Sequence, residues 1–289
     1  MASKDETNPL TFTPSGCCPR PHPKASWHGE LEQIFSNVWF VQGTAVMSVL
    51  SFLPSLKFQR AMTIVRVPAK SGDALILFNT VRLNDEGLQA LDALGRVTHI
   101  VRLAYFHGQD DPFYKERYPN ATVWAPDGAP YFPGVDPKAM PYFVPDKVLE
   151  GSKTTIVPGV DTCVLQSGRF PEALAFLTQQ AEGKVLISGD ALQNFSSQAA
   201  PQTTDCLSTV VLRCMGFYVP YNVGPAWAQQ CRPDANELLN LLLLDQMDGD
   251  GRAVVVDHVL PSHGMPVLGQ ASQKFRPAIE KLIMMMPKK

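Results

Sequence analysis

Runs of β-branched and aromatic residues recur through the first hundred residues and predict β-strands at 34–42, 47–53, 61–67 and 74–78. The pattern then changes, because Leu88, Leu91 and Leu94 fall on one face of a helix. Asn84 can cap that helix and Gly95 can end it. The apolar run at 98–103 follows and predicts a buried strand.

The second half of the chain repeats the mixture of short strands and amphipathic helices. Strands are predicted at 121–125, 153–157, 161–166, 173–178, 184–188 and 253–260, and helices at 206–214, 235–247 and 270–286. No internal repeat and no Gly/Ser-rich linker divides the sequence. We expect a Pro-rich arm at 1–27 and one α/β domain at 28–289, with two mixed sheets, outer helices and an insertion at about 191–232.

Composition narrows the class of protein. The 289 residues are 45% hydrophobic with a formal net charge of −2, so no basic face for nucleic acid is expected. No run approaches the roughly 18 apolar residues that a membrane helix needs. The opening MASKDETNPL lacks the layout of a signal peptide. We therefore expect a cytoplasmic protein whose six cysteines are free thiols.

Three buried-type strands run directly into polar residues, in VRLAYFHGQDD, KVLISGDALQ and VLPSHGMP. Reactive groups of α/β proteins collect at such strand ends. The five candidates are His107, Asp110, Asp111, Asp190 and His263. Imidazole and carboxylate groups together suit a divalent metal, which can lower the pKa of a bound water. The alternative for Asp110-Asp111-Pro112 is an ordinary acidic turn.

The order of these segments resembles the metallo-β-lactamase fold superfamily, four-layer αββα sandwiches that are mostly metal-dependent hydrolases. The resemblance covers roughly residues 34–282 and is strongest in LISGDAL and LPSHG. It implies that Asp190 takes the place of the bridging aspartate of the family and His263 that of its terminal histidine.

Other positions depart from the family pattern. Asn79 stands where an aspartate is usual, and Arg169 stands at the Gly-His motif. Aligned without gaps to HxHxDH, FHGQDD places Asp110 on the aspartate and Asp111 on the last histidine, with His107 between ligand positions. The resemblance therefore does not imply a standard two-zinc site.

Two functional hypotheses follow. In the first, His107, Asp110, Asp190 and His263 hold one divalent ion, with Mn²⁺, Fe²⁺ or Mg²⁺ competing with Zn²⁺ because the set is rich in oxygen. Asp110 or Asp111 would act as general base while water attacks an ester, thioester or lactone. In the second, Arg169 pairs with the carboxylates in a metal-free pocket that serves binding, regulation or metal-independent acid–base chemistry.

The insertion at about 191–232 supplies aromatic side chains for a pocket that would hold a small organic substrate. These candidates are Phe195, Phe217, Tyr218, Tyr221 and Trp227. The alternative is a helical hairpin that packs on the sandwich or on a second subunit, which would make the protein a homodimer.

Overall fold

A computed structural model describes residues 25–47, 55–69, 72–127, 145–167, 170–195, 201–225, 227–228, 235–243 and 255–285. Its larger sheet has seven strands that lie side by side in chain order. The first four strands are antiparallel and the last four, from β4 onward, are parallel. They are β1 Glu32–Phe35, β2 Val38–Met47, β3 Leu56–Val67, β4 Ala74–Phe78, β5 Arg96–Val101, β6 Thr122–Pro126 and β7 Lys147–Leu149.

The smaller sheet has five strands in the order β14-β11-β10-β9-β8. Its strands pair antiparallel except β11 and β14, which are parallel. The strands are β8 Thr154–Val157, β9 Val160–Leu165, β10 Glu172–Leu177, β11 Val185–Ser188 and β14 His258–Pro261, while β12 Leu192–Gln193 pairs separately with β13 Asn222–Val223.

Apolar side chains from both sheets form the core between them, including Phe40 and Phe78 from one sheet and Ile187 from the other. Helices cover the outer face of each sheet. They are α1 Asp85–Leu94 and α2 Asp111–Arg117 on the larger sheet, α4 Ala235–Leu243 and α5 Ala271–Met285 on the smaller one, and α3 Cys206–Cys214, which contacts β3. This arrangement is the expected four-layer αββα sandwich.

Several element boundaries differ from the sequence predictions. The run at 34–42 is split by a turn into β1 and β2. Within the run predicted at 253–260, residues 253–254 lie outside the described residues and strand β14 begins at His258. Asn84 caps α1 as expected, since its side chain accepts a 2.9 Å hydrogen bond from the N–H of Gly87. The N-terminal arm, up to residue 24, lies outside the described residues.

The acidic stretch at 110–112 opens helix α2 instead of forming an isolated turn. Asp111 is the first residue of α2, and proline at the next position fits the first turn of a helix, where N–H groups lack partners. The helix has only 7 residues, too few for a clear amphipathic repeat in the sequence.

No described helix is both long and apolar enough to cross a membrane.

The buried face of helix α1 provides a test of how this helix packs on the larger sheet. Leu91 is 0% exposed beneath the larger sheet, so Leu91→Ala should lower the free energy of unfolding by about 2–5 kcal/mol. Leu207→Ala on α3 is the matched control, because Leu207 is 51% exposed. Denaturant unfolding measures both, and equal losses would contradict the described packing.

Candidate metal centre

The parallel pair β11 and β14 brings two chemical groups to one edge of the smaller sheet. Ser188 and Pro261 are register partners at the ends of these strands. Beyond them, the N–H of Ser262 donates to the carbonyl of Ser188 at 3.0 Å, and its hydroxyl donates to the carbonyl of Gly189 at 2.7 Å. Asp190 and His263, the next residues of each chain segment, are therefore held side by side.

His107 reaches the same place on the loop that follows β5. Its N–H donates to the carbonyl of Ala104 at 3.1 Å, which closes a tight turn, and its carbonyl accepts from Arg102 at 3.3 Å. Gly108 then has φ of +100°, and a Cβ there would lie 2.5 Å from Cδ of Arg102. Only glycine fits this position. Its backbone conformation turns the chain so that the ring of His107 faces Asp190 and His263.

The ligand atoms of the three side chains lie within hydrogen-bonding distance of one another. Nε2 of His107 lies 3.3 Å from Oδ1 of Asp190 and 3.1 Å from Nε2 of His263, and that nitrogen is 3.0 Å from the same Oδ1. Ligand atoms bound to a tetrahedral ion at 2.0–2.2 Å lie roughly 3.3–3.6 Å apart. The observed distances of 3.0–3.3 Å are up to about 0.3 Å shorter than the lower end of this range, so the two imidazole nitrogens and the carboxylate oxygen could hold one metal ion after a small outward shift.

The surroundings of His263 fix its ring. Its Nδ1 donates to the backbone carbonyl of Gln59 at 2.7 Å, so in the neutral ring Nε2 keeps the lone pair that a metal needs. The ring of Phe195 is stacked on it at 5.9 Å between centroids, with 13° between planes. Phe58 lies on it at 5.4 Å. These aromatic rings restrict water around the imidazole.

Burial and mutual contact set the ionisation of the cluster. The side chains of His107 and Asp190 are each 10% exposed and that of His263 is 6% exposed. Burial lowers the pKa of His107, although the nearby carboxylate opposes that shift. Burial alone would raise the pKa of Asp190, but the neighbouring His107 and His263 side chains leave it below its usual value. A neutral imidazole beside an ionised carboxylate is the state that binds a metal.

Asp110 does not join this cluster, contrary to the expectation that it is a metal ligand. Its carboxylate is ion-paired with the guanidinium of Arg60 on β3 and accepts a 3.0 Å hydrogen bond from the N–H of Arg82. Arg60 also donates to the carbonyl of Thr80. Both side chains of the pair are only 10% exposed. A protein cation therefore neutralises the acid that the family pattern assigns to a metal.

Asp111 is also engaged elsewhere and is not placed to act as general base. It is fully buried, accepts a 2.6 Å hydrogen bond from the hydroxyl of Thr80, and lies 3.9 Å from Nε of the buried Arg102. Burial is the main reason that its pKa is raised. Its contacts support the loop that carries His107.

Asn79 joins the two sheets next to the cluster. Its side-chain amide donates to the carbonyl of Ser188 at 3.2 Å and its oxygen accepts from the N–H of Leu103 at 3.1 Å. A carboxylate could not donate the first of these bonds. The departure from aspartate thus has a structural role, since the amide ties β11 to the end of β5.

The aromatic candidates are spread over two regions. Phe217 and Tyr218 contact Phe195, whereas Tyr221 is 37% exposed and packs on Phe275. Trp227 is buried and lines a small cavity together with Asp190. The other walls of that cavity, which the sequence prediction did not include, are Tyr105, Phe106, Phe170, Pro171 and Glu172. Arg169 lies outside the described residues.

Arg60 was also missed in the sequence. It is the one charged residue in FQRAMTIV, and a charged residue in a strand whose neighbouring residues are buried is a usable signal of an internal ion pair. Its partner Asp110 is 50 residues away along the chain, so the pairing required the fold.

Comparison with known proteins shows the fold. No protein-family model and no curated protein sequence matches the chain. Among solved structures, the DIM-1 metallo-β-lactamase exposed to ceftazidime has a TM-score of 0.52 at 11% identity, covering 89% of this chain and 99% of its own. For VMB-1 at pH 5.5 the values are 0.51, 10%, 87% and 96%. For the FIM-1 metallo-β-lactamase from Pseudomonas aeruginosa in the mono-zinc form they are 0.50, 11%, 91% and 99%.

The chain therefore has the metallo-β-lactamase fold, as its segment order implied. Within that fold it is a divergent chain with incomplete metal-ligand motifs. Three of the side chains expected from the sequence, His107, Asp190 and His263, come together in it.

The buried pair of Arg60 and Asp110 makes a stability prediction. Arg60→Ala leaves a buried carboxylate without its counter-charge and should cost about 3–5 kcal/mol of unfolding free energy. The double variant Arg60→Ala/Asp110→Ala should recover part of that loss, because no buried charge is then left alone. Denaturant unfolding of each variant measures the effect.

Arg276→Ala is the matched control, since Arg276 pairs with Glu280 on an exposed helix face and such pairs contribute about 0.3–0.5 kcal/mol. If Arg60→Ala cost no more than this control, the interior ion pair would not be a stabilising feature.

Proposed function

We propose that this protein is a metal-dependent hydrolase in which one divalent ion is held by His107, Asp190 and His263. The observation that carries the proposal is the 3.0–3.3 Å spacing of their three ligand atoms. Catalytic zinc sites commonly use three protein ligands of this kind and leave a further position for water or substrate.

A metal ion bound there would lower the pKa of a water towards neutrality and polarise a carbonyl group. The protein groups supply the rest. Asp190 offers negative charge that balances a cation, the carbonyl of Gln59 holds the ring of His263 in one tautomer, and Phe195 keeps bulk water from that ring. The chain thereby provides a preorganised, largely dry site.

The proposed stoichiometry is one ion per chain. A second ion next to the first would require Asp110, but that carboxylate is already neutralised by Arg60. Arg60 also lies close enough to His107 to contribute to lowering its pKa. This positive charge disfavours a second cation in the same region by direct repulsion.

The proposed substrate is a small organic ester, thioester or lactone. The support is the composition of the side chains around the cavity beside Asp190, which are mostly aromatic with two carboxyl groups among them. The cavity itself has a volume of about 10 Å³, room for about one water molecule, so a substrate would bind only after the surrounding rings move apart. The donor set of two imidazoles and one carboxylate suits Zn²⁺ and also Fe²⁺.

The metal proposal is tested by elemental analysis of protein equilibrated separately with Zn²⁺, Mn²⁺ and Fe²⁺ and then freed of unbound ion. We expect close to one ion per chain in the wild type, and loss of stoichiometric binding in His263→Ala and Asp190→Ala. His28→Ala is the control, because His28 binds the N–H of Asn84 outside the cluster. Absence of bound metal in the wild type under all three conditions would refute the proposal and favour the metal-free hypothesis.

The hydrolase proposal has its own test. The metal-loaded protein should hydrolyse at least one member of a panel of aryl esters, acyl thioesters and lactones. Chelation should abolish the activity, readdition of metal should restore it, and His107→Ala should lower kcat/KM by at least about 100-fold, the low end of what removing one essential catalytic group costs. A metal-loaded protein that is inactive on the whole panel would contradict this substrate class while leaving the metal site intact.

A further inference from the structure

We propose that Glu172 is a positioning residue for the metal ligand Asp190. This inference rests on the proposed function, because it concerns the same site. Glu172 is the first residue of β10 and is only 2% exposed. An acidic side chain is rarely buried without a partner, so its contacts indicate its role.

The carboxylate of Glu172 binds the backbone of the turn that carries Asp190. Its Oε1 accepts a 2.9 Å hydrogen bond from the N–H of Ala191, the residue that follows Asp190. This bond fixes the peptide plane that follows Asp190, and with it the direction of the Asp190 side chain.

Gly189 leaves the space that this contact needs. A Cβ at that position would lie 2.7 Å from Oε1 of Glu172 and 2.6 Å from Cβ of Ala104. The turn can therefore approach the buried carboxylate only because its first residue has no side chain. The glycine, the acid and the metal ligand form one local unit.

The same strand start also contacts the loop that carries His107. Glu172 forms an antiparallel bridge with Ala104, and the N–H of Ala173 donates to the carbonyl of Leu103 at 2.7 Å. The carbonyl of Ala104 in turn accepts the N–H of His107. The first residues of β10 thus set the relative position of two segments, each of which carries one ligand.

Glu172 itself is not part of the ligand cluster. Among the described residues that cluster contains His107, Asp190 and His263. The side chain of Glu172 binds the N–H of Ala191 in the Asp190 turn, so it acts through Asp190 and not by touching the ion.

The test compares Glu172→Ala and Glu172→Gln with wild type by chelator competition for Zn²⁺ and by the absorption spectrum of the Co²⁺-loaded protein. We expect Glu172→Ala to weaken Zn²⁺ binding by about 10–100-fold, as the loss of outer partners of metal ligands does, and to alter the Co²⁺ bands. Glu172→Gln keeps one carbonyl acceptor, so its loss should be clearly smaller.

Glu237→Ala is the matched control. Glu237 also accepts hydrogen bonds from backbone N–H groups, those of Gln166 and Ser167, at 2.6 and 3.0 Å. Its removal should leave Zn²⁺ affinity and the Co²⁺ spectrum unchanged. Wild-type affinity in Glu172→Ala, or an equal loss in Glu237→Ala, would overturn the proposed positioning role.

A second measurement separates this inference from the proposed function. Hydrogen exchange of the Ala191 amide in metal-free protein should be faster in Glu172→Ala than in wild type, while core amides in β4 exchange unchanged. If wild type binds no metal, the proposed function fails. Faster exchange of the Ala191 amide in Glu172→Ala would then still support the role of Glu172 in ordering this turn. Unchanged exchange at Ala191 overturns the positioning role whether or not metal binds.

Discussion

The parallel pairing of β11 with β14 is the constraint on which the site depends. Parallel strands end at the same edge, so the residues that follow them, Asp190 and His263, emerge together. Hydrogen bonds from Ser262 to Ser188 and Gly189 extend the pairing past the last strand residues and leave the two side chains little freedom. The arrangement exists before any ligand arrives, which is the condition for a tight and selective site.

The loop after β5 completes the cluster that Asp190 and His263 begin. It supplies only His107, and the tight turn from Ala104 together with the positive φ of Gly108 makes that single imidazole sufficient to complete a group of three. The acids that follow in the sequence are used for the scaffold. Asp110 is paired with Arg60 and Asp111 is held by Thr80, so the loop is anchored by charge on one side and by its helix on the other.

The fold could be predicted from the sequence because its signals are local and consistent. Continuous apolar runs such as ALILF specify strands buried on both faces, and the cap at Asn84 marks α1. All three members of the cluster, His107, Asp190 and His263, could be identified from the positions of polar residues at strand ends. The position of Asp110 outside the cluster could not be predicted, because it depends on an ion pair with Arg60. The two residues are 50 positions apart along the chain, and only the tertiary fold brings them together. Glu172 gave no sequence signal either, since a single acid at the start of a strand usually faces solvent.

The pairing of Arg60 with Asp110 has a consequence for how the protein would respond to metal supply. The guanidinium of Arg60 is part of the chain and does not dissociate from it as a bound metal ion can. The negative charge of Asp110 is therefore balanced as soon as the polypeptide folds, and a chelator cannot remove the balancing cation. Loading of the remaining cluster would follow a simple hyperbolic saturation curve, with no cooperativity between ions.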